Sequence, residues 1–234
     1  MEVNMKNISK IPAVCAFFVF LLLATAAYVE PPSLLLEHVT GRYATWSGLE
    51  LKGELQIFTG ATGVVNKFTL SFAKPGMARL DTAEGSAVKN QARSNPAYEA
   101  MPEYRKAAFD LLLYSDQKVK LVDLLKGWGI DITSSHMGLL EKDPCIILGA
   151  PEAQSQTPQV WFNKDRYWPS RLILKSYAGE EKNIIDIRFI GWNLPVGADI
   201  MPAEIQIYMN GEKAETWKVK SMNRHPGLDH RFDI

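Results

Sequence analysis

Between Leu49 and Ile57 apolar and polar positions alternate: Leu49, Leu51, Leu55 and Ile57 against Glu50, Lys52, Glu54 and Gln56. A period of two marks a strand with one apolar and one wet face. Phe68, Leu70 and Phe72 alternate with Lys67, Thr69 and Ser71 in the same way. Lys74-Pro75-Gly76 is turn chemistry, so Met77 to Leu80 is expected to return as a third strand. Ahead of these strands, Pro31-Pro32-Ser33 followed by Leu34, Leu35, His38 and Val39 reads as a capped helix start, with Gly41 and Gly48 bracketing its end.

The period changes in the middle of the chain. Tyr104, Ala108, Leu111 and Leu112 share one face at helical spacing, and Leu121, Leu124, Leu125 and Trp128 repeat the pattern. Ser115 or Asp116 is the expected cap between the two helices, and Gly127 and Gly129 close the second. Ala83 to Pro102 has no clear period and reads as a loop. From Ile132 onward strands return. Cys145 to Gly149 is a short apolar run, and Val160–Asn163 and Arg171–Tyr177 flank the long tip Lys164 to Pro169. Ile185, Ile187 and Phe189 alternate with Asp186 and Arg188, and Ala203–Met209 and Glu215–Val219 flank the hairpin signal Asn210-Gly211. No linker separates the two strand blocks. The expected architecture is α+β: one domain with an antiparallel sheet and a helical insertion at about 103–128.

The first residues belong to a different problem. Lys6 and Lys10 precede the uncharged run Ile11 to Val29, which ends in the small residues Ala24-Thr25-Ala26. Positive start, apolar middle and A-x-A-like end predict a secretory signal peptide over 1–26, leaving 27–234 as the exported domain. An uncleaved membrane anchor is the alternative, weakened by Pro12 and the small-residue end. Cleavage removes Cys15, so Cys145 has no intramolecular disulfide partner and reads as a buried, inert thiol. Charge is balanced, with 26 Lys+Arg against 26 Asp+Glu, which argues against nucleic acid as a partner.

Candidate chemistry is sparse. Thr59-Gly60-Ala61-Thr62-Gly63 looks like the start of a dinucleotide fingerprint, but Asn66 stands where the third glycine belongs and the following KFTLSF has period two. A hairpin turn is the better reading. No G-x-S-x-G and no H-E-x-x-H occurs. His225 and His230 lie close with Asp229 between them, which reads more simply as a solvated loop than as a metal site. Carboxylates are scattered singly. No catalytic residue, metal or cofactor is therefore expected, and the chain is read as a non-enzyme.

What remains is apolar content concentrated on one side of many strands. Leu55, Ile57, Phe68, Leu70, Phe72, Leu172, Leu174, Ile187, Phe189, Ile205, Ile207 and Trp217 are expected to share the inner face of a curved sheet, which must be covered. The helices either fill it as an ordinary core or cover it incompletely and leave an apolar cavity. Pattern alone favours the core.

The order of elements and the segments LELKGELQIFTG, KPGMARLD, VWFNKDRYWPSRLIL, NIIDIRFIGW and PAEIQIYMNGEKAETWKV resemble the LolA/LolB-like, outer-membrane lipoprotein-sorting family. The resemblance implies an unclosed β-barrel (a half-barrel) with helices as a lid over an apolar cavity. It implies a periplasmic carrier of lipid or lipoprotein acyl chains, moving them towards the outer membrane, with inner- and outer-membrane transport components as partners. Without an acylated cysteine the chain is more like the soluble carrier than the anchored receptor. On this reading Leu111, Leu112, Leu121, Leu124, Leu125 and Trp128 form the apolar side of the lid. The carrier's lid-controlling arginine has no assigned counterpart; Arg79 is a candidate by location only. The competing reading is a non-catalytic periplasmic interaction or structural protein with a packed barrel.

Overall fold

The computed structural model describes residues 29–43, 46–60, 62–91, 93–154, 156–178, 181–192, 194–196, 200–224 and 232. The predicted signal segment 1–26 and the His225/His230 loop lie outside the described residues. The chain divides into two compact units, Met1–Glu30 and Pro31–Ile234, and the fold belongs to the second.

Helix α1 spans Pro32–Tyr43, with proline at its first position, where its fixed φ suits the helix and no N–H is lost. Then come β1 (Gly48–Thr59), β2 (Thr62–Ala73), β3 (Met77–Thr82) and β4 (Gly85–Lys89). Three helices follow, α2 (Pro96–Glu99), α3 (Glu103–Tyr114) and α4 (Lys118–Gly127). The chain ends in β5 (Ser135–Leu140), β6 (Asp143–Leu148), β7 (Gln159–Asn163), β8 (Pro169–Ala178), β9 (Glu181–Ile190), β10 (Glu204–Met209) and β11 (Glu212–Arg224).

All eleven strands form one antiparallel sheet in the order β4-β3-β2-β1-β11-β10-β9-β8-β7-β6-β5. Two meanders are joined where β1 pairs with β11. The edges β4 and β5 do not pair, so the sheet curls without closing. This topology dictates where the helices go. The chain must pass from β4 at one edge to β5 at the other, and α2, α3 and α4 are that crossing. Their apolar sides pack on the concave face, in a core shared with α1.

The TGATG segment is a two-residue hairpin turn, with Thr59 paired to Thr62 and Gly60 at φ +64°. Gly53 is needed for close approach. At Gly53, where the β1–β11 register shifts, a Cβ would stand 2.0 Å from the Lys218 carbonyl oxygen and 2.9 Å from the Phe68 ring.

Three expectations are corrected. Ala83 to Pro102 is not loop throughout. It contains β4 and α2, stitched by Asn95, whose side-chain oxygen accepts from the Tyr98 and Val88 N–H groups at 2.9 and 3.0 Å. Neither Ser115 nor Asp116 caps α4: Ser115 donates back to the Leu111 carbonyl, Asp116 pairs with Lys74, and Gln117 holds the cap position. The outer face is also less wet than alternation suggested, because Glu50 and Ser71 are buried. Two small apolar clusters, Ala73–Val88–Phe232 and Cys145–Ile147–Trp161, lie outside the main core. Alternation reports which way a side chain points and not what covers it.

Candidate functional site

The concave face is a set of cross-strand rows. Leu55, Trp217, Ile205 and Phe189 are successive partners across β1, β11, β10 and β9. The adjacent row runs Ile57, Glu215, Ile207, Ile187 and Leu172. Phe68, Leu70 and Phe72 on β2 and Leu174 on β8 belong to the same apolar cluster. Of these twelve sequence-predicted residues all are buried except Ile57, which is half-buried against the rest.

Three helices cover this face. Leu111 and Leu112 of α3 and Leu121 and Leu125 of α4 are buried in the same cluster, with Trp128 half-buried against it. Leu124 is half-buried. The residue at the centre of the cover was missed from the sequence: Phe109 of α3 enters an aromatic cluster edge-on, with ring centroids 5.3 Å from Trp217 and 6.0 Å from Phe72. The i, i+4 and i+7 spacing of Arg105, Phe109 and Leu112 was the available signal.

Glu215 was missed as well. It is a carboxylate in the middle of an apolar row, 1% exposed, where a leucine or isoleucine would continue the pattern. Its phase with Trp217 and Val219 on β11 is readable from the sequence. Arg105 of α3 reaches down to it: Nε donates to both oxygens at 2.9 Å and Nη2 to Oε1 at 2.6 Å. Tyr104 Oη donates to Oε1 at 2.8 Å and Trp217 Nε1 to Oε2 at 3.0 Å. The guanidinium also lies 5.5 Å from the centroid of the Trp217 ring. Burial opposes the Arg105 charge, but the bonds and field of Glu215 outweigh it and its pKa is raised. Burial, reinforced by Glu215, holds the Tyr104 hydroxyl well above its ordinary value, so it stays a donor.

Further charged ties hold the cover at its margins. Lys89 of β4 pairs with Asp110 of α3 at 2.8 Å, Lys74 with Asp116 at 3.2 Å, and Lys118 of α4 with Glu37 of α1 at 2.6 Å. Burial raises the Asp110 pKa against the pull of Lys89, and burial lowers that of Lys74 against Asp116.

A cleft borders α3 on each side. One, of about 310 Å³, has Leu55, Leu80, Ala87 and Met101 in its lining together with Arg105 and Glu84. The other, of about 530 Å³, is lined by Ala107, Trp128, Leu174, Ile185 and neighbouring polar residues. Residues of the main core therefore line both clefts.

Elsewhere the chemistry is quiet. Cys145 is buried, and burial pushes its thiol pKa up to about 11, with Ser170 partly opposing. Arg79 bonds Asp81 at 2.9 Å and Ser86 at 3.1 Å; it alternates with the inward Ala78 and Leu80 and so points away from the cover. Among the described residues no three His, Cys, Asp or Glu side chains gather as a metal site, and no helix is long and apolar enough to cross a membrane.

No protein-family model and no curated protein matches the chain. Solved structures do. A protein from Vibrio parahaemolyticus described as an outer membrane lipoprotein-sorting protein domain is similar over 85% of this chain and 94% of its own, at 9% identity and TM-score 0.56. The fold is LolA-like. A DUF1329 family protein from Desulfovibrio piger shares it at TM-score 0.50 and 13% identity, over 88% of this chain and 98% of its own. A LolA superfamily protein from Nitrosomonas europaea is similar at TM-score 0.47 and 10% identity, over 88% of this chain and 99% of its own. At these identities what the Vibrio parahaemolyticus and Desulfovibrio piger structures share with this chain is the fold, which here is an unclosed antiparallel half-barrel with helices against it.

Proposed function

We propose that the chain is a periplasmic, non-enzymatic carrier that takes lipid or lipoprotein acyl chains into the apolar space between the half-barrel and its helices, for transfer towards the outer membrane. The observation that carries this reading is the pair of clefts flanking α3, both lined by residues of the main core. Among the described residues α3 and α4 meet the sheet through side chains and make no backbone hydrogen bond to a strand. The cover can therefore lift at α3 without breaking the sheet. Each methylene moved from water into such a space contributes about 0.8 kcal/mol. When the cover is down, Phe109 and the leucines of α3 and α4 occupy the space an acyl chain would take. Binding then exchanges side-chain packing for ligand packing, which keeps net affinity moderate and release feasible. The proposed cavity residues are the twelve inner-face positions from Leu55 to Trp217, with Leu111, Leu112, Leu121, Leu124, Leu125 and Trp128 as the lid.

A second reading has an observation of its own. Leu111, Leu121 and Leu125 are fully buried against the sheet, as in a permanently packed interaction protein. The two separate by mass spectrometry of lipid extracted from protein purified from the periplasm, with fluorescent fatty-acid binding to the delipidated protein. Stoichiometric acyl lipid and saturable binding are expected. A lipid-free protein that also fails to bind the probe would leave the packed reading standing.

A further inference from the structure

Arg105 does more than fasten the cover. It is 16% exposed whereas its partner Glu215 is 1% exposed, and it lines the cleft whose apolar lining includes Leu55, Leu80, Ala87 and Met101. Glu215 occupies its Nε and Nη2 groups, while Nη1 makes no hydrogen bond among the described residues. A guanidinium is a fixed fork of five N–H donors, so one that spends a single edge on a buried carboxylate can offer another to a second anion. The polar lining of this cleft otherwise comprises Asn66, Thr82 and Glu84. Among the described residues Arg105 is its only cation, at the rim of an apolar surface.

We propose that the cleft on the β1–β4 side of α3 receives a single-chain amphiphile with a monoanionic head, its head on Arg105 and its chain along Leu55, Leu80 and Met101. This rests on the carrier reading and specifies the ligand: a carboxylate-headed or phosphate-headed acyl chain and not a neutral one. Competition follows from the geometry. An anion on Arg105 draws on the same charge that holds Glu215, while Tyr104 and Trp217 still donate to that carboxylate. Head-group binding and loosening of the cover are thus coupled. Among the described residues exposed Glu84 is the one carboxylate in the cleft lining, and it disfavours the anion.

The test compares oleate with oleyl alcohol, which has the same chain and a neutral head, and with acetate and inorganic phosphate alone. Calorimetry on the delipidated mature protein, below the aggregation concentration of each lipid, supplies the affinities. A charge-assisted bond predicts oleate at least about 10-fold tighter than the alcohol. Arg105→Gln should bring that ratio near one, Arg105→Lys should keep part of it, and Glu84→Gln should raise it. Acetate and phosphate should not bind measurably. Equal affinity for oleate and the alcohol overturns the inference and leaves the carrier reading intact, whereas binding of neither lipid overturns both. A preference that survives Arg105→Gln also overturns it, as does phosphate binding as tightly as oleate, which would mark a free-anion site. Should Arg105→Gln fail to fold, the Glu84→Gln ratio decides: no rise refutes the placement of the head.

Discussion

Arg105→Met strands a carboxylate that is 1% exposed, whereas Glu215→Leu leaves a guanidinium that is 16% exposed and can turn into the neighbouring cleft. The two halves of the pair should therefore cost different amounts. Breaking a fully buried ion pair by removing one partner costs about 3–5 kcal/mol. In Arg105→Met the Tyr104 and Trp217 donors remain on Glu215, which places the loss at the lower end, about 3 kcal/mol. Glu215→Leu continues the apolar row from Ile57 to Ile207, and is expected to cost about 1 kcal/mol, chiefly the hydrogen bonds of Tyr104 and Trp217. The double variant carries neither charge, and apolar replacement of a buried pair is close to neutral. It keeps only the loss of the Tyr104 and Trp217 hydrogen bonds, about 1 kcal/mol, so it should be more stable than Arg105→Met alone, with a coupling of about 3 kcal/mol between the sites. Urea unfolding of the four proteins, followed by tryptophan fluorescence, measures this directly. Strict additivity, or a double variant less stable than both singles, would refute the view that Glu215 depends on Arg105.

Gly53→Ala should lower Tm by about 10 °C or more, because the added Cβ meets a backbone oxygen at 2.0 Å that can move only if β1 and β11 part; calorimetry showing an unchanged Tm would contradict the register. Cys145 holds its proton more tightly when folded, with a pKa of about 11 against 9.0. Its contribution is thus fully present below pH 9 and is lost as pH rises towards 11, by about 2–3 kcal/mol relative to Cys145→Ala. Denaturant titrations of both proteins at pH 8 and pH 11 read it, and parallel pH profiles would refute it. Glu152 accepts the Leu139 N–H at 3.2 Å on the edge strand β5, where Met137 and Leu139 are exposed. Glu152→Ala should promote edge-to-edge association, seen as a concentration-dependent shift in light scattering; a variant that stays as monodisperse as the parent would show that the edge is protected by other means.

Much of the fold was legible because alternation is a local signal. The apolar phase of β1, β2, β8, β9 and β10 follows from residues two apart, and the faces of α3 and α4 from residues three and four apart. The hairpins at Gly60 and Asn210-Gly211 follow from turn chemistry, and the same logic dismissed the dinucleotide motif. The burial of Leu55, Leu70, Ile187 and Trp217 on one face needed nothing further. Strand β4 and helix α2 were not legible: β4 owes its form to pairing with β3, and α2 to Asn95, interactions that depend on neighbours and not on periodicity.

Periodicity alone also left open what the apolar face is for. The sequence determined that such a face exists and that two helices have leucine-rich sides to match it. Only the tertiary structure decided that the crossing from β4 to β5 lays those helices over the concave side, because an open sheet whose edges are consecutive in the chain must be bridged across its mouth. Only it brought Arg105 within 2.6 Å of Glu215 across 110 residues of sequence. A lone carboxylate in an apolar row reads as an exception until folding supplies its cation, since charge pairing acts through space and leaves no period in the chain.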